Sequence, residues 1–228
     1  MDGVPTTIEE RDDTGRLLLR CAMAGGALHG DYEEYGPAGL PALAAHFAHG
    51  KLHGTMRAYG PDGALVQRGE FRHGAAHGLM ETFVNGRRVA AQEMADGVAS
   101  GPSLSYDEAG QVTARLTFAA GKPDGPATFY HEGREVRSAV YRNGLLDGEA
   151  VDRDGHGTVV QRCTYRANLL HGAVRRFWPD GALMEEVHYR DGVPVEEPAR
   201  YDRRGKRIGH AEAAPALFER IKALLRGE

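Results

Sequence analysis

The chain holds eleven histidines and two cysteines, the side chains that most readily ligate metal or act as nucleophiles. His29, His53, His77 and His171 each stand one residue before a glycine, in segments that recur along the chain. A zinc ligand must come within about 2 Å of the ion. Equivalent places in successive β-hairpins are about 10 Å apart, so these histidines cannot share one ion if the recurring segments are hairpins. Only pairs within one turn, His49 with His53 or His73 with His77, are expected to lie close enough, and no cysteine or carboxylate completes either set. No metal site is therefore expected.

Catalytic chemistry is equally hard to assemble. Cys21 and Cys163 are too distant in sequence to form a zinc motif or a disulfide framework, which points to a reducing, cytoplasmic setting. Cys163 falls on the apolar side of its segment, where a thiol is usually inert packing. Glu185-Glu186 and Glu196-Glu197 are sequence neighbours. In a strand, neighbours point to opposite faces and cannot act together as acid and base, so solvated carboxylates are expected. No serine occupies a G-x-S-x-G elbow, and no phosphate loop or nucleotide fingerprint precedes a helix. The sequence thus offers no catalytic residue and calls for no cofactor.

Binding chemistry is better represented. Arg20, Arg68, Arg115 and Arg162 occupy one position of a repeating frame, in every second repeat, on the polar side of the alternation. Together they could recognise phosphate or acidic side chains, although a solvated face with glutamate neighbours such as Glu70 and Glu93 explains them more simply. A second set is aromatic: Tyr35, Tyr59, Phe83, Tyr106, Tyr130, Phe177 and Tyr201. These rings read first as core rungs of the apolar face, left exposed enough to anchor a partner.

The frame that positions both sets has a period of 23 or 24 residues. Its origins are Met23, Phe47, Phe71, Met94, Phe118, Tyr141, Tyr165 and Tyr189. Three residues after each origin stands a glycine, replaced once by Asn168. A second glycine follows seven residues after the origin, replaced once by Glu196, and an aromatic twelve residues after, replaced once by Arg153. A turn glycine closes each unit, as in Pro61-Asp62-Gly63 and Pro179-Asp180-Gly181, where Pro presets φ, Asp bonds the backbone and Gly takes the left-handed position. Segments between glycines have strand length and are too short for ordinary helices. Alternation marks the buried face: Leu17, Leu19, Cys21 and Met23 are apolar, as are Val112, Ala114, Leu116 and Phe118, with polar residues between the latter.

The expected fold is all-β: an elongated antiparallel sheet of about eight tandem hairpins, curled because a sheet of more than about ten twisted strands does not stay flat. Residues 1–13 form an N-terminal segment, 14–207 the array, and 208–228 a capping segment. In the last, Ala214, Leu217, Phe218, Ile221, Leu224 and Leu225 fall on one helical stripe. Composition agrees: 41% hydrophobic residues suffice for a core, whereas 7% aromatics and 31 glycines favour short strands with frequent turns. A net charge of -4 gives no field that would draw nucleic acid, and it disfavours an anionic membrane.

The unit running from Phe47 through Gly50, Gly54 and Tyr59 to Gly63 resembles a MORN repeat, and most closely its bacterial variant. The resemblance covers residues 14 to about 207. It implies an elongated sheet serving as a spacer, a dimerisation element or a protein or lipid contact surface. Arrays of this appearance are often labelled antitoxins, which implies a protein partner. Two units depart from the pattern: the one with Arg153 in place of the aromatic, where a distorted or partner-facing strand is expected, and the last, with Glu196, Glu197 and Pro198. The resulting expectation is a non-enzymatic, cytoplasmic interaction module that binds a protein partner through the aromatic residues. The alternative is peripheral binding of anionic lipid or phosphate through the arginines. Homodimerisation through the uncovered first strand near Ile8 is a further route to a partner.

Overall fold

The computed structural model describes residues 4–208. The capping helix expected over 213–226 lies outside them. Among the described residues every regular element is a strand, twenty-one segments in all, from Thr6–Arg11 to Arg207–Ile208. Each hairpin pairs antiparallel with the next in chain order, so the array is one continuous meander. The N-terminal segment is part of it, because Thr6–Arg11 pairs with Leu17–Ala24.

Two kinds of turn, one on each long edge of the sheet, build the repeat. On the first edge the turn has two residues, such as His49 (φ 51) and Gly50 (φ 75). Both residues lie in the left-handed region, the type I′ geometry whose twist matches that of the flanking strands. The glycine amide then donates to the preceding hairpin: Gly50 to the Leu28 carbonyl at 2.8 Å, Gly74 to Leu52 at 2.8 Å, Gly121 to Ala99 at 2.9 Å. Asn168 does the same to Leu146, which explains why it can replace glycine there. On the second edge most loops have three residues, as in Gly60-Pro61-Asp62-Gly63-Ala64, closed by Gly60 N–H to Ala64 O at 2.8 Å and Gly63 N–H to Gly60 O at 2.9 Å. In two units the loop shortens to a two-residue turn, Asn85-Gly86 and Glu132-Gly133, again with positive φ throughout. These are the units 23 residues long. The variation in period is therefore one residue gained or lost at a turn.

The sheet is a single layer, and this decides what its core is made of. Among the described residues the buried apolar side chains are all small, Cys21, Ala45, Ala91, Ala127, Ala139, Ala150, Val151, Cys163, Val174 and Val187, and the one buried charged side chain is Glu81. Most stand two residues before a repeat origin or directly across from such a position, in a row that crosses the strands from Ile8 through Cys21, Tyr32, Ala45 and Met56 to Gly69. The origin residues sit half-buried beside that row. With no second layer above them, large side chains cannot be fully enclosed, whereas an alanine between taller neighbours can. Space is tight even there: a Cβ on Gly69 would meet the Met80 sulfur at 1.9 Å.

Packing is densest toward the C-terminus, where Ala139, Ala150, Cys163 and Val174 cluster under Tyr141, Tyr165 and Tyr189. Alongside runs a polar ladder on the same face, with one residue from each successive strand: Arg137, Asp152, Gln161, Arg176, Glu185 and Arg200. Arg137 reaches Asp152 at 3.3 Å, and the Gln161 amide donates to Asp152 at 3.2 Å. Arg176 donates to Gln161 at 3.2 Å and to Glu185 at 2.8 Å, and Arg200 donates to Glu185 at 3.0 Å. Burial pushes the Asp152 carboxyl up from its ordinary value, against the pull of Arg137 and Gln161. Glu185 is thus not the solvated residue expected of the Glu185-Glu186 pair; its side chain is 14% exposed and holds two arginines.

Candidate functional site

The opposite face carries both sets of expected binding residues. The aromatics were expected as core rungs of the apolar face and the arginines on the polar one. In the structure they are neighbours: the Tyr35 hydroxyl donates to Glu33 at 2.8 Å beside Arg20, the Arg68 guanidinium stands 6.0 Å from the Phe83 ring, and Arg88 stands 4.6 Å from the Tyr106 ring. Each ring follows by two residues, within its own unbroken strand, a residue of the arginine face: Tyr35 follows Glu33, which faces Arg20, and Phe83 follows Glu81, which faces Arg68, while the extra residue of the register shift beside each ring, Ala42 or Val89, lies in the next strand. All seven aromatics are half-buried, Tyr59, Tyr130, Phe177 and Tyr201 included.

The arginines do not form one continuous cationic stripe. Arg20 binds Glu9 at 3.0 Å and lies 3.7 Å from Glu33, Arg68 binds Glu81, and Arg162 lies 3.4 Å from Glu149. Arg115 has Leu104 and Thr128 as its cross-strand partners. The charges are arranged as local clusters, one of which has an unusual centre. Glu81, whose side chain is 5% exposed, accepts from Arg68 and, at 2.9 Å, from Arg88. Burial alone would raise the Glu81 carboxyl, but the Arg88 and Arg68 hydrogen bonds outweigh it and hold the group below the ordinary carboxylate value. Next to this triad Arg57 stands directly opposite Arg68. Arg57 breaks the three-before-origin frame, so the arginine periodicity does not reach it. The hairpin register about Pro61-Asp62-Gly63 alone would pair Arg57 with Gln67; the register shift between Ala58 and Tyr59 sets it against Arg68 instead. Beside Arg88 and Tyr106 a shallow cleft of about 320 Å³ opens, lined also by Arg87 and Glu108–Gly110.

The histidines fall elsewhere, along the edge of the two-residue turns. The expected within-turn pairs are not the ones formed. His29 meets His49 of the next repeat, ring centroids 4.9 Å apart, and His53 meets His73 at 5.5 Å. Stacking of successive turns, fixed by the glycine-to-carbonyl bonds, brings these positions together. Acidic residues at the equivalent place show what a side chain there does, which is to accept from the next turn. Asp124 accepts from the Asn143 amide and Asp147 from the Ala167 amide, both at 3.3 Å. His29 accepts likewise from the His49 amide at 3.5 Å. Among the described residues no group of three or more His, Cys, Asp or Glu could hold a metal ion. The strand with Arg153 has the same register shift as the other units, between Asp152 and Arg153, and Arg153 donates to Glu135 at 3.1 Å, so the aromatic's place there is taken by an ion pair. Among the described residues no helix is long and apolar enough to cross a membrane.

Comparison with known proteins adds one family match. No curated protein matches the chain. Among solved structures, a crystal structure of a mutant S. aureus TarM in complex with Fondaparinux, alpha-GlcNAc-glycerol and UDP is similar over 44% of this chain and 19% of that one, at 10% identity and a TM-score of 0.32. Residues 170–191 match the family model of the MORN repeat variant. That segment contains Gly172–Phe177, the Pro179-Asp180-Gly181 turn and Leu183–Arg190, one complete hairpin of the array. The match identifies this hairpin as a variant MORN repeat and supports reading the array that shares its frame as a MORN-repeat protein.

Proposed function

We propose that the chain is a non-enzymatic interaction module that binds a protein partner on the face where the arginines and aromatics meet. The observation that carries this reading is their convergence on one open face of a single-layer sheet, with Arg68 over Phe83 and Arg88 over Tyr106. Arginine and tyrosine are among the residues that dominate interface energetics, and an open sheet presents them without closing over them. An antitoxin-like role, implied by the bacterial repeat variant, is one form such binding would take. A cytoplasmic setting is in keeping with Cys21 and Cys163, both free and buried. Recognition of anionic lipid or phosphate through Arg20, Arg68, Arg115 and Arg162 is the less favoured reading, because all but Arg115 already have carboxylate partners.

Self-association is a second route to a partner. The six residues Thr6–Arg11 are exposed, and among the described residues their strand pairs on one side only, with Leu17–Ala24. A two-fold axis normal to the sheet allows only registers that keep like faces together. Centring on Glu9 would set two glutamates opposite each other, while centring on Ile8 places Ile8 against its copy and Thr7 against Glu9.

Affinity capture from the native host with tagged protein tests the main reading. A stoichiometric protein retained by the wild type and by Leu145→Ser, on the turn edge, but lost from Tyr59→Ala and Tyr130→Ala, is the expected result. Recovery of no protein above background overturns it.

A further inference from the structure

The binding face contains two places where arginines stand directly opposite each other across neighbouring strands, Arg57 with Arg68 and Arg162 with Arg175. Like charges so placed are destabilising unless each is compensated. In the second pair each guanidinium has its own acid: Arg162 lies 3.4 Å from Glu149, and Arg175 donates to Glu186. The first pair is not balanced in this way. Arg68 must share Glu81 with Arg88, and no ion pair to Arg57 forms among the described residues. The nearest alternative acid on that face, Glu70, accepts from the Thr55 hydroxyl at 2.8 Å. Two guanidinium groups thus share one buried carboxylate, and beside them Arg57 has no acid of its own among the described residues.

The surroundings are apolar. Leu79, 39% exposed, stands two residues from Glu81 within a regularly paired stretch of the same strand and therefore on the same face. Leu79 thus sets apolar surface on the face of the uncompensated cation. Arg88, Tyr106 and the cleft of about 320 Å³ beside them lie further along the same face.

We propose that this patch is the recognition site for an acidic, partly apolar segment of a partner protein, whose carboxylate bridges Arg57 and Arg68 and whose apolar side chain enters the cleft at Tyr106. The inference rests on the interaction-module reading and names the chemistry of its partner. The distance between the two anchors sets the spacing. From the Arg57–Arg68 pair to the strand bearing Tyr106 is about three strand steps, roughly 14 Å, which an extended chain spans in about four residues. A single carboxylate fits better than a phosphate-rich surface, since Glu33, Glu70 and Glu93 on the same face would repel a continuous sheet of negative charge.

The test uses the full chain and a synthetic peptide, Glu-Ser-Ser-Ser-Phe, blocked at both ends, titrated while the arginine Nε–H resonances are followed by NMR. The expected result is a shift of the Arg57 and Arg68 signals, with Arg162 and Arg175 unmoved, and an affinity at least about tenfold weaker for Arg57→Gln or for the Gln-Ser-Ser-Ser-Phe peptide. Arg57→Gln should unfold at an equal or higher temperature than wild type, so that lost binding is not lost structure. Equal shifts at both arginine pairs, or no shift, overturn the proposal. So does Arg57-dependent sedimentation with phosphatidylserine vesicles in place of peptide binding, which would assign the patch to lipid. If a captured partner still depends on Tyr59 but not on Arg57, the acidic-segment proposal falls while the interaction-module reading stands. If neither capture nor peptide binding is seen, both fall.

Discussion

Replacing Gly30 by alanine should destabilise the second hairpin severely, and the structure separates the two reasons. Gly30 has φ +110, and a Cβ built on it would stand 2.9 Å from the Cβ of Ala22 on the adjacent strand. Backbone strain in that region costs an L-residue about 1–3 kcal/mol. Forcing the two carbons apart adds an overpacking cost of about 1–3 kcal/mol, so Gly30→Ala should lose about 2–6 kcal/mol in all. Ala22→Gly removes the only atom within 4 Å of the new methyl. Alone it should cost about 0.5–1 kcal/mol, but on the Gly30→Ala background it should recover the overpacking share, leaving only strain. Gly15→Ala provides the strain-only reference, since φ there is +84 and nothing lies within 4 Å. Urea unfolding followed by circular dichroism and by the fluorescence of the single tryptophan, Trp178, gives the values. Because repeat arrays unfold through nearest-neighbour coupling, the tryptophan signal at the far end should shift less than the dichroism signal. A Gly30→Ala protein within about 0.5 kcal/mol of wild type, or no relief from Ala22→Gly, would refute the reasoning.

Other predictions follow from particular groups. Arg137→Met leaves Asp152 without its cation in the half-buried ladder and should cost about 1–3 kcal/mol in urea melts, whereas the Arg137→Met, Asp152→Leu double variant should cost less than the two single changes summed. The Asp12 carboxyl, held down to about 2 chiefly by the Thr14 hydroxyl and also by Arg16, is lower in the folded than in the unfolded chain. Its stabilisation is therefore present above its ordinary value of 3.8 and disappears as pH falls toward 2, and the first turn should loosen over that window in acid-titration NMR, a change absent from Asp12→Asn. Burial pushes the Cys163 thiol up, and at 1% exposure it should resist thiol reagents until the array unfolds; prompt labelling in native buffer would contradict the packing described. For the self-association register, Ile8→Cys in a Cys21→Ser background should oxidise to a covalent dimer, because directly opposed strand residues are within disulfide reach, while Glu9→Cys should not. The serine change is needed since Ile8 already faces Cys21 across the hairpin.

Much of the fold was legible because the repeat is written in residues with narrow conformational meaning. Glycines three residues after each origin marked the left-handed positions of two-residue turns, and Asn168 was readable as their substitute. The 23-residue intervals were legible too, although only the structure traced them to the shortened turns at Asn85-Gly86 and Glu132-Gly133. The resemblance to variant MORN repeats rested on the same frame, and one unit of it, residues 170–191, matches that family.

What sequence could not decide depends on atoms brought together across strands. Alternation acts within one strand, so the register that sets Glu33 against Arg20 and Glu81 against Arg68, and with them Tyr35 and Phe83 on the arginine face, was invisible to it. Turn stacking paired His29 with His49 although sequence neighbours suggested His49 with His53. The ladder from Arg137 to Arg200 draws one residue from each of six strands and has no local signature. The sequence by itself determined the period, the turns and the meander, because φ preferences and side-chain alternation act within a few residues. Only the tertiary structure decided which face each functional side chain shares and which charges remain uncompensated, because those are properties of cross-strand register.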